Sequence, residues 1–162
     1  MNTYGHKPEP TSERQEVPKL TLALNRASYP EIDTEVEKFM KNLQDRRLIS
    51  RLSGSQLRKI HEQVTKIRRL YIEAQIRNQS DKLEKCKMEL VRLKYLLAYQ
   101  KARLSKKEEE EVFGILSECF RNAVEVIIGN IKNTRVADEL IEKLYITSEA
   151  MIAYHKYYGG GD

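Results

Sequence analysis

Leu57, Ile60, Val64, Ile67, Tyr71 and Ala74 recur at intervals of 3, 4, 3, 4 and 3 residues, which is the seam of an α-helix packed lengthwise against another. A strand turns alternate side chains to opposite faces and could not gather these six on one side. Ser53 or Ser55 stands ahead of the run, able to accept from the free backbone N–H groups of a first turn. Asn78-Gln79-Ser80-Asp81 then reads as a turn with a new N-cap, and Leu83, Cys86, Leu90, Leu93 and Leu97 continue at heptad spacing. Two helices joined by so short a turn are antiparallel neighbours.

The same periodicity organises the remainder. Ile32, Val36, Phe39, Met40 and Leu43 predict a first helix near 31–43, followed by a basic connector that holds Arg46, Arg47 and Arg51. Glu108, Glu109, Glu110 and Glu111 open a fourth helix after Ser105. Acid in a first turn favours the helix N-terminus, so the run is read as a helix start and not as a metal site. Val112, Leu116, Cys119, Phe120, Ala123, Val124, Ile127 and Ile131 form its apolar face. Thr134 can cap a fifth helix with the stripe Val136, Leu140, Leu144, Met151 and Ile152, ended by Gly159. Residues 1–30 hold all four prolines and no sustained apolar period, which reads as a flexible leader. Within it, Leu20, Leu22 and Leu24 alternate as an extended segment able to dock on the body or on a neighbour. The expected fold is all-α: a leader over 1–30, a compact bundle of about five helices over 31–158 and a Gly-rich tail over 159–162.

Charge is sorted along this framework. Residues 41–69 carry nine Lys/Arg against two acids, residues 82–107 carry nine against two, and residues 108–150 carry ten acids against four bases, within a net charge of only +5. A basic slab and an acidic slab share one small protein, and such a field draws a polyanion to one surface and leaves the other for different partners. At about 100° per residue, Arg58, Lys59, Lys66 and Arg69 fall within one arc nearly opposite the seam of the second helix. With few acids interleaved, the usual i,i+4 ion pairs are missing there. The third helix adds Lys82, Lys85, Lys87, Arg92, Lys94, Lys101 and Arg103, and the antiparallel turn lets the two basic faces merge. Nucleic acid is the first partner this pattern suggests.

Catalytic chemistry is sparse. There is no phosphate-cradling glycine loop, no HExxH and no nucleophile elbow. Cys86 and Cys119 are isolated and sit at apolar helical positions, as buried core thiols do. The histidines are His6, His61 and His155. A His155-Lys156 pair could in principle cleave RNA by acid–base chemistry, but adjacent helical residues diverge by about 100° and no second histidine completes the pair. His61 reads as a partly exposed helix residue or a nucleic-acid contact. No enzyme activity, cofactor or metal is expected. The N-terminus lacks a signal-peptide core and no apolar run approaches the ~18–20 residues that span a bilayer, so a cytoplasmic protein with no membrane partner is expected. Tyr154, Tyr157 and Tyr158 point to more than one side of the last helix, so at least one should leave the protein's own core.

Three blocks, in this order and spacing, resemble the small subunit of type III-A CRISPR effector complexes, the helical small subunit of the Csm complex. They are Ser55-Gln56-Leu57-Arg58-Lys59-Ile60, the stretch from Leu93 through Tyr95, Tyr99 and Gln100 to Arg103, and the closing segment from Glu149 to Gly160. The resemblance spans roughly residues 31–162. Gly54 stands where that family often has Thr, and Ala102 where a glycine is common. The resemblance implies a non-catalytic subunit of an antiviral ribonucleoprotein, present in more than one copy, with other Csm subunits and the guide RNA–target RNA duplex as partners. It implies RNA contacts at Arg58, Lys59, Lys94 and Arg103, to which the helical wheel adds Lys66 and Arg69. A different expectation is a helical adaptor whose seams pair with a partner, or with a second copy as a homodimer, without binding RNA.

Overall fold

The computed structural model describes residues 16–162. His6, Pro8, Pro10 and the rest of the expected leader over 1–15 lie outside the described residues. Five helices follow: α1 (Tyr29–Asp45), α2 (Gly54–Arg77), α3 (Ser80–Ala102), α4 (Lys107–Gly129) and α5 (Thr134–Tyr157), with a single 3₁₀ turn at Ile49–Arg51 between α1 and α2. The fold is the all-α bundle that the apolar stripes predict.

The stripes face the core, although Leu83 of α3 and Val136 and Ile152 of α5 are only partly buried. All five seam residues of α1 and all six of α2 are in the core. α1 begins at Tyr29, earlier than the expected 31, because the Ser28 hydroxyl accepts from the Glu31 N–H at 3.3 Å and Pro30 fits the first turn. Its end is a Schellman motif. Arg47 takes a left-handed φ of 59°, Leu48 N–H reaches the Leu43 carbonyl at 2.7 Å, and both leucines are buried. α2 opens on a capping box, in which Ser53 Oγ accepts from Gln56 N–H at 3.1 Å and Gln56 Oε1 accepts from Ser53 N–H at 3.0 Å.

The α3 cap falls within the expected turn, and the α5 cap differs from the residue expected. α3 starts on Gln79, whose side chain makes no cap bond, and the Asn133 side chain, not Thr134, accepts from Val136 N–H to start α5. Asn133 has the extended backbone a cap requires, whereas Thr134 is already helical.

α2 packs against α3 and α5, α1 lies along α5, and α4 covers α3. Tyr154 donates to Asp33 and Tyr158 to Glu37, both across 121 residues, so α1 and α5 run parallel. Tyr157 is 76% exposed, the tyrosine that leaves the core as expected. Residues 16–23 carry no helix or strand and a turn follows at 24–26, with Leu24 buried and Leu20 and Leu22 packed against the core, so the segment docks on the body although it does not stay extended through Leu24.

Candidate nucleic-acid interface

α2 and α3 form the basic side of the molecule, and the register between them decides what it presents. Cys86 Sγ sits 3.7 Å from the Ile67 carbonyl, Lys82 Nζ is 2.9 Å from Glu73 and Gln100 Nε2 is 3.5 Å from the Gln56 carbonyl, an antiparallel ladder along the length of both helices. At its centre lies Glu89, whose side chain is almost wholly buried. Gln63 Nε2 (2.8 Å), Lys66 Nζ (3.3 Å) and Arg92 Nη1 (2.6 Å) converge on its carboxylate. Burial pushes the Glu89 carboxyl up, but the bonds from Gln63 and Lys66 and the charges of Lys66 and Arg92 outweigh it and hold it below the usual carboxylate range.

The six cations expected as contacts divide into three groups. Lys59, Arg69 and Arg103 are exposed and have no ion pair among the described residues; the Arg103 guanidinium lies 5.5 Å from the Tyr99 ring. Lys66 is tied to Glu89, and Arg58 to Asp162 Oδ1 at 3.0 Å. The missing local ion pairs are thus replaced, for these two, by acids from other elements. Lys94 lies apart. It projects from the opposite flank of α3, 3.4 Å from Glu125 of α4, and does not join the others. Arg92, on the α2 flank, takes the place that the sequence reading gave to Lys94. A 100° wheel with Glu89 and Gln100 fixed as the α2-facing positions would have separated Arg92 and Arg103 from Lys94. That orientation was hidden because both marker residues are polar and were not read as core.

Beside Arg92 and Arg103 the outer face of α3 exposes Met88 (52%), Tyr95 (66%) and Tyr99 (62%), an apolar stripe among cations. Where α2 begins and α3 ends, an open cleft of about 370 Å³ is lined by Arg51, Ser55, Lys59, Gln100, Arg103 and Glu109 among others. The acidic slab borders it, with Arg51 Nε 2.9 Å from Glu108 and the four-glutamate run opening α4, where it favours the helix terminus.

The two histidines among the described residues, His61 and His155, join elements of the bundle. His61 Nδ1 is 2.8 Å from Ser148 Oγ and its ring lies 5.1 Å from that of Tyr145, which joins α2 to α5. His155 is buried with Nε2 2.7 Å from the Leu52 carbonyl, and Lys156 points outward. Both cysteines are buried, and burial pushes each thiol up to about 12. Among the described residues, no group of three or more His, Cys, Asp or Glu could hold a metal ion, and no helix is long and apolar enough to cross a membrane.

A family model described as Csm2 Type III-A matches residues 26–161. No curated protein and no solved structure matches the chain.

Proposed function

The chain belongs to the Csm2 type III-A family, the small subunit of the type III-A CRISPR complex, and on that premise we propose that its α2/α3 face lines the path of target RNA paired to the guide. The observation that carries this is the set of exposed cations that have no ion pair among the described residues, Lys59, Arg69 and Arg103, beside Lys66 and Arg92 on their shared carboxylate. A guide–target duplex varies in sequence from one complex to the next. A protein that lines it must therefore contact phosphates and ribose and not base edges, which Lys and Arg do without sequence preference. Arg58 joins this set when RNA displaces Asp162, whereas Lys94 contributes only through the general field. In this reading the subunit takes no chemical part in cleavage, in keeping with a His155 whose Nε2 is held on a backbone carbonyl.

Lys59→Glu, Arg69→Glu and Arg103→Glu together test the reading by RNA binding across a salt series. Binding should weaken for every sequence alike, and the slope of log affinity against log salt should fall by about two to three. Unchanged affinity, or loss confined to particular sequences, would exclude this face as a backbone contact.

A second reading, a helical adaptor that pairs with a copy of itself, is favoured by the exposed stripe Met88, Tyr95 and Tyr99.

A further inference from the structure

Two buried side-chain atoms among the described residues have no hydrogen-bond partner, and the residues that carry them line the same cleft: Arg51 Nε and Gln100 Oε1. Arg51 Nε is near enough to Glu108 for attraction between charges, at 2.9 Å, but is out of line for a hydrogen bond. Gln100 is only 7% exposed, and its amide orientation follows from its neighbour: Nε2 must face the Gln56 carbonyl, which can only accept. That leaves the Gln100 oxygen in the interior without a donor, an arrangement that costs free energy unless something supplies one.

One orphan is a cationic donor and the other a neutral acceptor. A ligand that satisfies both carries an anionic oxygen and, a few ångströms away, a hydrogen-bond donor such as a hydroxyl. Lys59 and Arg103 in the lining favour an anion, and Glu109 in the same lining opposes part of that pull. A ribonucleotide unit meets these conditions, because its 2′-hydroxyl lies beside its 3′-phosphate. A deoxyribonucleotide has the phosphate and lacks the donor.

Resting on the reading of this face as an RNA path, we propose that the cleft at the start of α2 and the end of α3 is a ribose-reading site. One backbone phosphate lies against Lys59, Arg103 and Arg51, and the adjoining 2′-hydroxyl donates to Gln100 Oε1. The exposed side chains of Lys59 and Arg103 turn onto the phosphate and uncover the amide as they do so. The cleft thereby adds, at one position of a path contacted through its backbone, a buried amide that distinguishes RNA from DNA.

The test uses the full chain and duplexes of one sequence in which one strand is RNA, 2′-fluoro RNA or DNA. The 2′-fluoro sugar keeps the ribose pucker and cannot donate, so it separates loss of the donor from a change of helix form. RNA should bind roughly threefold to tenfold tighter than the 2′-fluoro strand, the worth of about one hydrogen bond. In Gln100→Met, RNA and 2′-fluoro RNA should bind equally, with 2′-fluoro affinity unchanged from wild type. Equal, salt-steep binding of RNA and 2′-fluoro RNA by the wild type would overturn the ribose site and leave the basic path standing. No binding of any duplex by the wild type, even at low salt, would overturn both. The comparison of strands on the wild type decides the matter even if Gln100→Met fails to fold.

Discussion

Gly160 lies so close to the His155 imidazole that a Cβ at that position would fall 2.2 Å from the ring. The ring cannot swing away, because it is buried and its Nε2 is fixed on the Leu52 carbonyl. Gly159 makes the approach possible with a φ of 92°, and Gly160 N–H closes the α5 terminus on the His155 carbonyl at 2.7 Å. Beyond it, the Gly161 carbonyl accepts from Gly54 N–H at 2.8 Å, so one histidine organises the segment that reaches the start of α2. Burial lowers the His155 pKa from its ordinary 6.5, more than its backbone hydrogen bonds raise it. The unfolded chain therefore takes up a proton on acidification that the folded chain refuses. The stabilising contribution is complete above about 6.5 and is lost as pH falls through the folded value. Urea midpoints should drop between about pH 7 and pH 5 in the wild type and flatten in His155→Gln, since the depressed carboxylates, Glu73, Glu89 and Asp162, titrate only in more acidic solution. A parallel decline in both proteins would remove His155 as the source.

At the scale of the element, α3 carries two polar residues in its seam. Cys86, Leu90, Leu93 and Leu97 form an apolar stripe, while Glu89 and Gln100 complete the buried face toward α2. Glu89 therefore acts in two ways: it ties α2 to α3, and it holds Lys66 and Arg92 by a carboxylate that offsets part of their charge. Glu89→Gln should lower stability by about 1–3 kcal/mol through loss of charge-assisted bonds. It should also tighten RNA binding, because it releases two cations and removes a negative charge from the face. Denaturant unfolding and RNA titration of the same variant would separate the effects; loss of stability together with loss of binding would mean that Glu89 positions the cations for RNA. Helices, their order and nearly all of the α1, α2 and α4 seams were legible in the sequence, because Leu57 to Ala74 and their counterparts are apolar at one period. The rotation of α3 was not. Glu89 and Gln100 are types that usually face water, and only their partners on α2, Gln63, Lys66 and Gln56, show that they turn inward. The same blindness grouped Lys94 with Arg103, although the two leave α3 on different flanks, did not set Arg92 apart from the other α3 cations, and left the cleft unseen. In α5, Thr147, Ser148 and His155 are buried polar residues that obscure the stripe in the same way.

For the whole molecule, the balance between RNA and self-association depends on what the bundle leaves uncovered. The heptad seams that might have paired with a second chain are used within the one chain: all six α2 seam residues are buried, as are Cys86, Leu90, Leu93 and Leu97 of α3. Exchange of helices between copies would first have to open that core. The bundle leaves Ile72, Ile76 and Tyr157 exposed as well as the α3 stripe, Met88, Tyr95 and Tyr99, and it is the stripe that shares its face with Arg92 and Arg103. A copy docked there by apolar contact would cover the cations, and RNA docked on the cations would cover the stripe, so one occupant excludes the other. Sedimentation over a concentration series should show a reversible dimer that 0.5 M salt does not dissolve, since apolar burial is insensitive to screening. Tyr95→Ser with Tyr99→Ser should return it to monomer, and RNA duplex should convert it to complexes with one chain per contact site. Only monomer at every concentration would rule out the adaptor reading, and a dimer that binds RNA without dissociating would place the two surfaces on different faces of the protein.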